Sequence, residues 1–199
     1  INRFVFSIEN ELFIIFDMPV NISGRHNFIY SFTAQLNGGE DERGIVELFD
    51  KGVILTKQNS KLKIYTISSN NNTTYSTDPQ TDGILYGQEK FHKRFIASSE
   101  GENINFLTLF DAQKLNDEFI EVSVNNGYDF QYGERKYKIK FNESYTNGKL
   151  VLSKFNGENI ETSYIINTNQ FSNKDLSFTS EEFKNIKVDY VNNTVIPVD

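Results

Sequence analysis

Wherever apolar residues gather along this chain they recur at every second position, the period of a half-buried β-strand, and nowhere do they sustain a helical spacing. Phe4, Phe6 and Ile8 share one face of a first strand, and Leu12 to Phe16 make a second after the turn-like Glu9-Asn10-Glu11. Next, Phe28, Tyr30, Phe32, Ala34 and Leu36 alternate with Asn27, Ile29, Ser31, Thr33 and Gln35, before a polar loop at Gly38-Gly39 and Glu40-Asp41-Glu42. Ile45 to Phe49 and Val53 to Thr56 flank Asp50-Lys51-Gly52, a hairpin signal because glycine tolerates positive φ. Lys61 to Ile67 reads as a further strand. Ser68 to Asp82, with Asn70-Asn71-Asn72 and Asp78-Pro79, reads as a long exposed loop. Phe91 to Ala97 and Asn103 to Phe110 are strands joined around Glu100-Gly101-Glu102.

From Asp111 to Asn116 the pattern fits one helical turn or a loop. Hairpins follow at Phe119 to Val124 with Tyr128 to Tyr132, and at Tyr137 to Phe141 with Lys149 to Phe155 around Tyr145-Thr146-Asn147-Gly148. Asn156-Gly157 is a type I′ turn dipeptide leading into Ile160 to Ile166. Ser180-Glu181-Glu182-Phe183-Lys184 has the look of a short helix with Ser180 as its N-cap. Lys187 to Val191 and Thr194 to Val198 close the chain. Many short strands separated by turn signals predict an all-β, antiparallel, multi-stranded β-sandwich of the supersandwich kind, with few or no helices. Residues 1–110 form the main sandwich, and 111–199 are either its continuation or a smaller second β unit.

Composition narrows the function. Only 38% of the 199 residues are hydrophobic, but 18 Phe and 10 Tyr bury much area each and are enough for a core. A net charge of −7 argues against binding a phosphate backbone, which needs clustered Lys and Arg. With no cysteine there is no disulfide, thiolate nucleophile or zinc–thiolate site. No apolar run approaches the roughly 20 residues that span a bilayer. The opening Ile1-Asn2-Arg3-Phe4 has no Met and no leader and runs straight into a strand, which suggests a piece of something larger.

The candidate chemistry is sparse. His26, in Ser23-Gly24-Arg25-His26-Asn27, reads first as a turn residue that hydrogen-bonds locally. In Phe91-His92-Lys93-Arg94-Phe95, alternation puts His92 and Arg94 on one face, where the planar Arg fork suits a carboxylate or sulfate; the simpler reading is a solvated strand face. Two histidines without cysteine make a zinc site improbable, and no cofactor motif occurs, although loops can assemble a structural Ca²⁺ site that leaves no sequence signature. There is no nucleophile elbow. Tyr65, Tyr75 and Tyr86 are candidate sugar-stacking rings in a chain without Trp, set against the alternative that they fill a wet edge of the core.

Several segments, in order, resemble the C-terminal β-sandwich region of heparinase II/III-like polysaccharide lyases. Arg3-Phe4-Val5-Phe6 with Leu12-Phe13-Ile14-Ile15-Phe16-Asp17 resembles the family's strand pair with a leading Arg and a closing Asp. Gly24 to Phe32 is similar to its His-led strand, Tyr75-Ser76 and Tyr86-Gly87 to its Tyr-Ser and Tyr-Gly segment, and Phe106-Leu107-Thr108-Leu109 to its Thr-centred strand. The likeness covers roughly the first 110 residues.

The resemblance implies a parent enzyme that cleaves uronic-acid polysaccharides by β-elimination, in the periplasm, at the cell surface or outside the cell. Its reactive Tyr, His and Asn lie mainly on an N-terminal helical toroid and an earlier histidine-rich sandwich segment, neither of which is in this sequence. No catalytic residue is therefore carried over, and His26 matches a position that looks structural. The expected partners are that toroid and an anionic polysaccharide, with no nucleic acid and no membrane span. His26, Tyr86, His92 and Arg94 are the candidate substrate contacts. The alternatives are a stand-alone carbohydrate-binding or adhesive sandwich of a bacterial surface protein, or a purely structural module.

Overall fold

The strands expected from alternation organise a computed structural model described over residues 1–8, 12–20, 22–35, 45–81, 91–126 and 128–198, with no helix among the described residues. The turn at Glu9-Asn10-Glu11 and the polar loop from Gly38 to Glu42 lie outside the described residues. The chain divides into two units, Ile1–Ile120 and Glu121–Asp199.

The first unit holds β1 (Asn2–Ile8), β2 (Leu12–Met18), β3 (His26–Gln35), β4 (Ile45–Phe49), β5 (Gly52–Lys57), β6 (Ser60–Ser68), β7 (Thr74–Thr81), β8 (Phe91–Gly101) and β9 (Phe106–Lys114). One sheet runs β1-β2-β9-β6-β5-β4 and the other β3-β8-β7, and every pairing is antiparallel. On one face of the larger sheet Phe4, Phe6, Ile8, Ile14, Phe16, Leu107 and Leu109 are buried, the alternate set that period two selects. Its other face brings Val53, Ile64 and Phe106 onto Tyr30, Phe95 and Ala97 of the smaller sheet, which makes this unit a β-sandwich.

Several polar groups inside the sandwich are paired with one another. The Tyr75 hydroxyl donates to the Thr66 carbonyl at 2.7 Å, and the Thr66 and Thr108 hydroxyls lie 3.3 Å apart. Asn70 ties one end together: its Oδ1 accepts from Ser68 Oγ at 2.7 Å and Ser99 Oγ at 2.9 Å, while its Nδ2 donates to the Glu100 carbonyl at 3.1 Å.

The second unit is a single meander of β10 (Val122–Asn126), β11 (Asp129–Tyr132), β12 (Arg135–Lys140), β13 (Leu150–Asn156), β14 (Asn159–Asn173), β15 (Leu176–Asp189) and β16 (Thr194–Val198), hydrogen-bonded in chain order. The long β14–β15 hairpin has register shifts between Ile165 and Thr168 and between Thr168 and Gln170. Such bulges bend a strand. Beyond them the tip residues Phe171, Leu176 and Phe178 pack on Val151, Ile165, Ile186 and Val188, so the hairpin folds back over its own sheet.

Asparagine has a backbone use here. Asn71, Asn103, Asn142, Asn167 and Asn193 all take positive φ, which Asn tolerates better than most residues. At the β15–β16 connection Asp189 Oδ1 accepts the amides of Val191 at 3.0 Å and Asn192 at 2.9 Å. Hydrogen bonds from the Asn192 backbone, then its side chain, hold the Asp189 carboxyl below the usual carboxylate range. A depressed native pKa favours folding above the unfolded value, and that contribution disappears as pH falls through the native one. Acid is therefore expected to loosen this connection, seen as shifts of the Val191 and Asn192 amide resonances, and Asp189→Asn should flatten that response.

Four local expectations are corrected. Within the expected loop from Ser68 to Asp82, Thr74–Thr81 is β7, an edge strand paired only with β8; its polar residues suit an edge, and Pro79 is tolerated there because an edge strand need not donate every N–H. Of the stretch Asp111 to Asn116, Asp111 to Lys114 is the end of β9 and only Leu115-Asn116 turn away from it, with Asp111 Oδ2 accepting the Ile120 amide at 2.9 Å. Ser180 to Lys184 is extended within β15; Thr168 pairs with Lys184 and Gln170 with Thr179, so the segment is excess strand at the bend. Ser180 Oγ does accept the Glu182 amide at 3.2 Å, the local bond that imitated a cap. Finally, Asn156 pairs with Asn159, which leaves Gly157-Glu158 as the turn with only Gly157 at positive φ, the type II′ pattern rather than type I′.

Candidate functional site

The antiparallel register of the three-stranded sheet decides where the histidines fall. His26 opens β3 opposite Gly101, whereas His92 on β8 lies opposite Gln35 and Gln80 at the other end. Nine residue steps along β8 separate those levels, about 30 Å at the rise of a strand. They do not meet. Arg94 lies opposite Thr33 and Asp78, on the face turned away from Phe95, Ala97 and Ser99. Tyr86 and the side chain of His92 lie outside the described residues.

His26 works locally. Its Nε2 donates to the Ser23 carbonyl at 2.8 Å and its ring stands edge-on to Phe28, so the imidazole fastens the turn that Gly24 makes at φ +85. Beside it, Arg25 and Glu100 form an exposed ion pair at 2.7 Å. Tyr65 is buried against Phe49, with Lys63 Nζ 4.9 Å from its ring centre. Tyr75 stacks on Phe95, and burial pushes its hydroxyl up to about 12. Neither ring is a free platform. Among the described residues no three His, Asp or Glu side chains gather in a way that would hold a metal, and no helix is long and apolar enough to cross a membrane.

A different place has the form of a site. Where the β12–β13 connection meets the folded-back β14–β15 tip, Ser144, Tyr145, Thr146, Asn147, Gln170 and Ser172 wall a depression of about 240 Å³. Asn147 organises it: its Oδ1 accepts from Thr168 Oγ1 at 2.8 Å and from the amides of Asn169 and Gln170 at 3.2 Å each, while its Nδ2 donates to Asn169 Oδ1 at 2.6 Å. Thr146 Oγ1 accepts the Gly148 amide and donates to the Gln170 carbonyl, both at 3.0 Å. The Ser172 amide donates to the Tyr145 carbonyl at 2.8 Å. Burial, then the neighbouring Glu143 carboxylate, raises the Tyr145 hydroxyl well above its ordinary pKa, so it stays protonated. Sequence marked Tyr145-Thr146-Asn147-Gly148 only as a turn. Its opposite wall, Gln170 and Ser172, arrives through a bend that no local motif announces.

No family model and no curated protein matches the chain. Fold and site together define an all-β chain of antiparallel sheets with a depression that is polar, walled by uncharged residues and built by hydrogen bonds.

Proposed function

We propose that the chain is a non-catalytic β-region of a heparinase II/III-like polysaccharide lyase, one that supports a helical toroid and forms one wall of a cleft for an anionic uronic-acid polysaccharide. The observation that carries the reading is the pair Arg3–Asp17. These are the leading and closing residues of the first strand-pair motif, and they meet across the β1–β2 hairpin as a fork, Nε to Oδ1 at 2.7 Å and Nη2 to Oδ2 at 2.9 Å. Asp17 in turn lies opposite Phe106, where the Thr-centred strand begins, so segments far apart in sequence become neighbours in one sheet. The ion pair raises the pKa of Arg3, first through its hydrogen bond to Asp17, and anchors the hairpin at the sheet edge.

β-Elimination needs a base to take a carbon-bound proton and donors to neutralise the adjacent carboxylate. With His26 committed to the Ser23 carbonyl, the reading assigns both tasks to the toroid and the earlier histidine-rich sandwich segment, and it carries with it a periplasmic, secreted or cell-surface setting. The test incubates the chain with uronic-acid polysaccharides and follows unsaturated products by ultraviolet absorbance. The expected result is none from the chain alone, and product once the coding sequence preceding Ile1, read as a helical toroid with reactive Tyr and His, is expressed with it. Product from the chain alone, or a preceding sequence with no helical region, overturns the proposal.

A further inference from the structure

The depression of the second unit is cross-linked through two of its side chains and leaves three others facing outward. Both rims are fixed through Asn147 and Thr146, which lowers the ordering cost of binding. By contrast, the Ser144 and Ser172 hydroxyls and the Gln170 side-chain amide belong to exposed residues and make no hydrogen bond to the protein among the described residues. Each hydroxyl both donates and accepts, and the amide offers two donors and an acceptor. That mixture matches a ligand whose own groups are hydroxyls.

None of the six walls carries a formal charge. Glu143, next to Ser144 in the chain, is paired with Lys140 at 3.5 Å. An anionic ligand would lose hydration here with no cation among the six lining residues to meet it, and a cation would find no carboxylate among them. Tyr145 is one of the lining residues, and its ring is edge-on to Phe171 at 5.9 Å and packed on the core cluster. The volume of about 240 Å³ is that of on the order of eight waters, the scale of one monosaccharide residue.

We propose that this depression binds a single uncharged sugar residue, the terminal or branch unit of a neutral glycan, held by Ser144, Gln170 and Ser172 against Tyr145. The site stands on the second unit alone, so its fate and that of the lyase reading are separate. The test titrates the isotopically labelled full chain with methyl glycosides of neutral hexoses, and with glucuronate at the same pH, while amide resonances are followed. At least one neutral glycoside should give saturable shifts confined to residues 144–147 and 169–172, with glucuronate binding more weakly. Gln170→Ala and Ser172→Ala, both at exposed positions, should each weaken binding about three- to tenfold with the rest of the spectrum unchanged. No saturable shift with any neutral glycoside, glucuronate binding as tightly, or undiminished binding by both variants overturns the assignment.

Discussion

Phe171→Ala is expected to destabilise the second unit by about 3–5 kcal/mol, the usual cost of emptying a buried phenyl site. Phe171 is 1% exposed and packs with Val151, Ile165, Ile186 and Val188. It lies just past the register shifts of β14, opposite Phe178, and bridges to Thr146. The ring thus holds the hairpin tip down after the bulges have turned it. Losing the ring should release the Ser172–Tyr145 backbone bond as well, and with it one wall of the depression. Denaturant unfolding measures the effect. Phe183→Ala supplies the control, because Phe183 lies on the same hairpin but is 56% exposed, and it should change stability by no more than about 0.5 kcal/mol. Equal costs for the two variants would mean that the tip is not anchored by its apolar contacts.

What was legible in the sequence follows the same division between buried and exposed faces. Phe4, Phe6 and Ile8 announce β1 because one face is buried and the other wet, and Asp50-Lys51-Gly52 announces its hairpin, although Asp50-Lys51 form the turn and Gly52 already pairs with Phe49 as the first residue of β5. β7 left no such mark. As an edge strand it carries Thr, Ser, Asp and Pro, the composition of a loop, and only its pairing with β8 distinguishes the two. At Ser180 a polar run with a local hydroxyl bond reads as a helix start, yet the neighbouring strand pairing on both sides holds it extended. Local propensity lost there to tertiary context.

The candidate site was less legible than the fold, for a geometric reason. Alternation puts His92 and Arg94 on a shared face but says nothing of which residue on β3 lies opposite, and it is the register from His26–Gly101 to Gln35–His92 that keeps the histidines apart. The depression depends on a strand folding back on itself. Asn147 reaches Asn169 and Gln170 only because β14 bends between Ile165 and Gln170. Asparagine, spread along the chain, gave no hint of which copy would organise a wall and which would simply turn the backbone, as Asn103 and Asn193 do.

The second large effect is expected at Gly52, where alanine should cost roughly 3 kcal/mol or more. Gly52 lies opposite Tyr65 at the start of β5. A β-carbon there falls inside contact distance of the Ile64 carbonyl oxygen, 2.9 Å from the carbonyl carbon and 3.2 Å from Tyr65 Cα. Every one of those atoms is backbone, so no change of rotamer makes room. The strands must part instead, straining the Gly52–Tyr65 and Val53–Ile64 pairs and the contact of the Phe49 and Tyr65 rings at 5.1 Å. Val53 and Ile64, both in the sandwich core, would move with them. Gly157→Ala separates this crowding from simple loss of glycine: nothing lies within 4 Å of a β-carbon at Gly157, and only its φ of +62 opposes a side chain, a strain of about 1–2 kcal/mol. Thermal unfolding of the two variants should therefore rank Gly52→Ala well below Gly157→Ala; if they unfold together, the close approach of β5 and β6 is not what glycine serves.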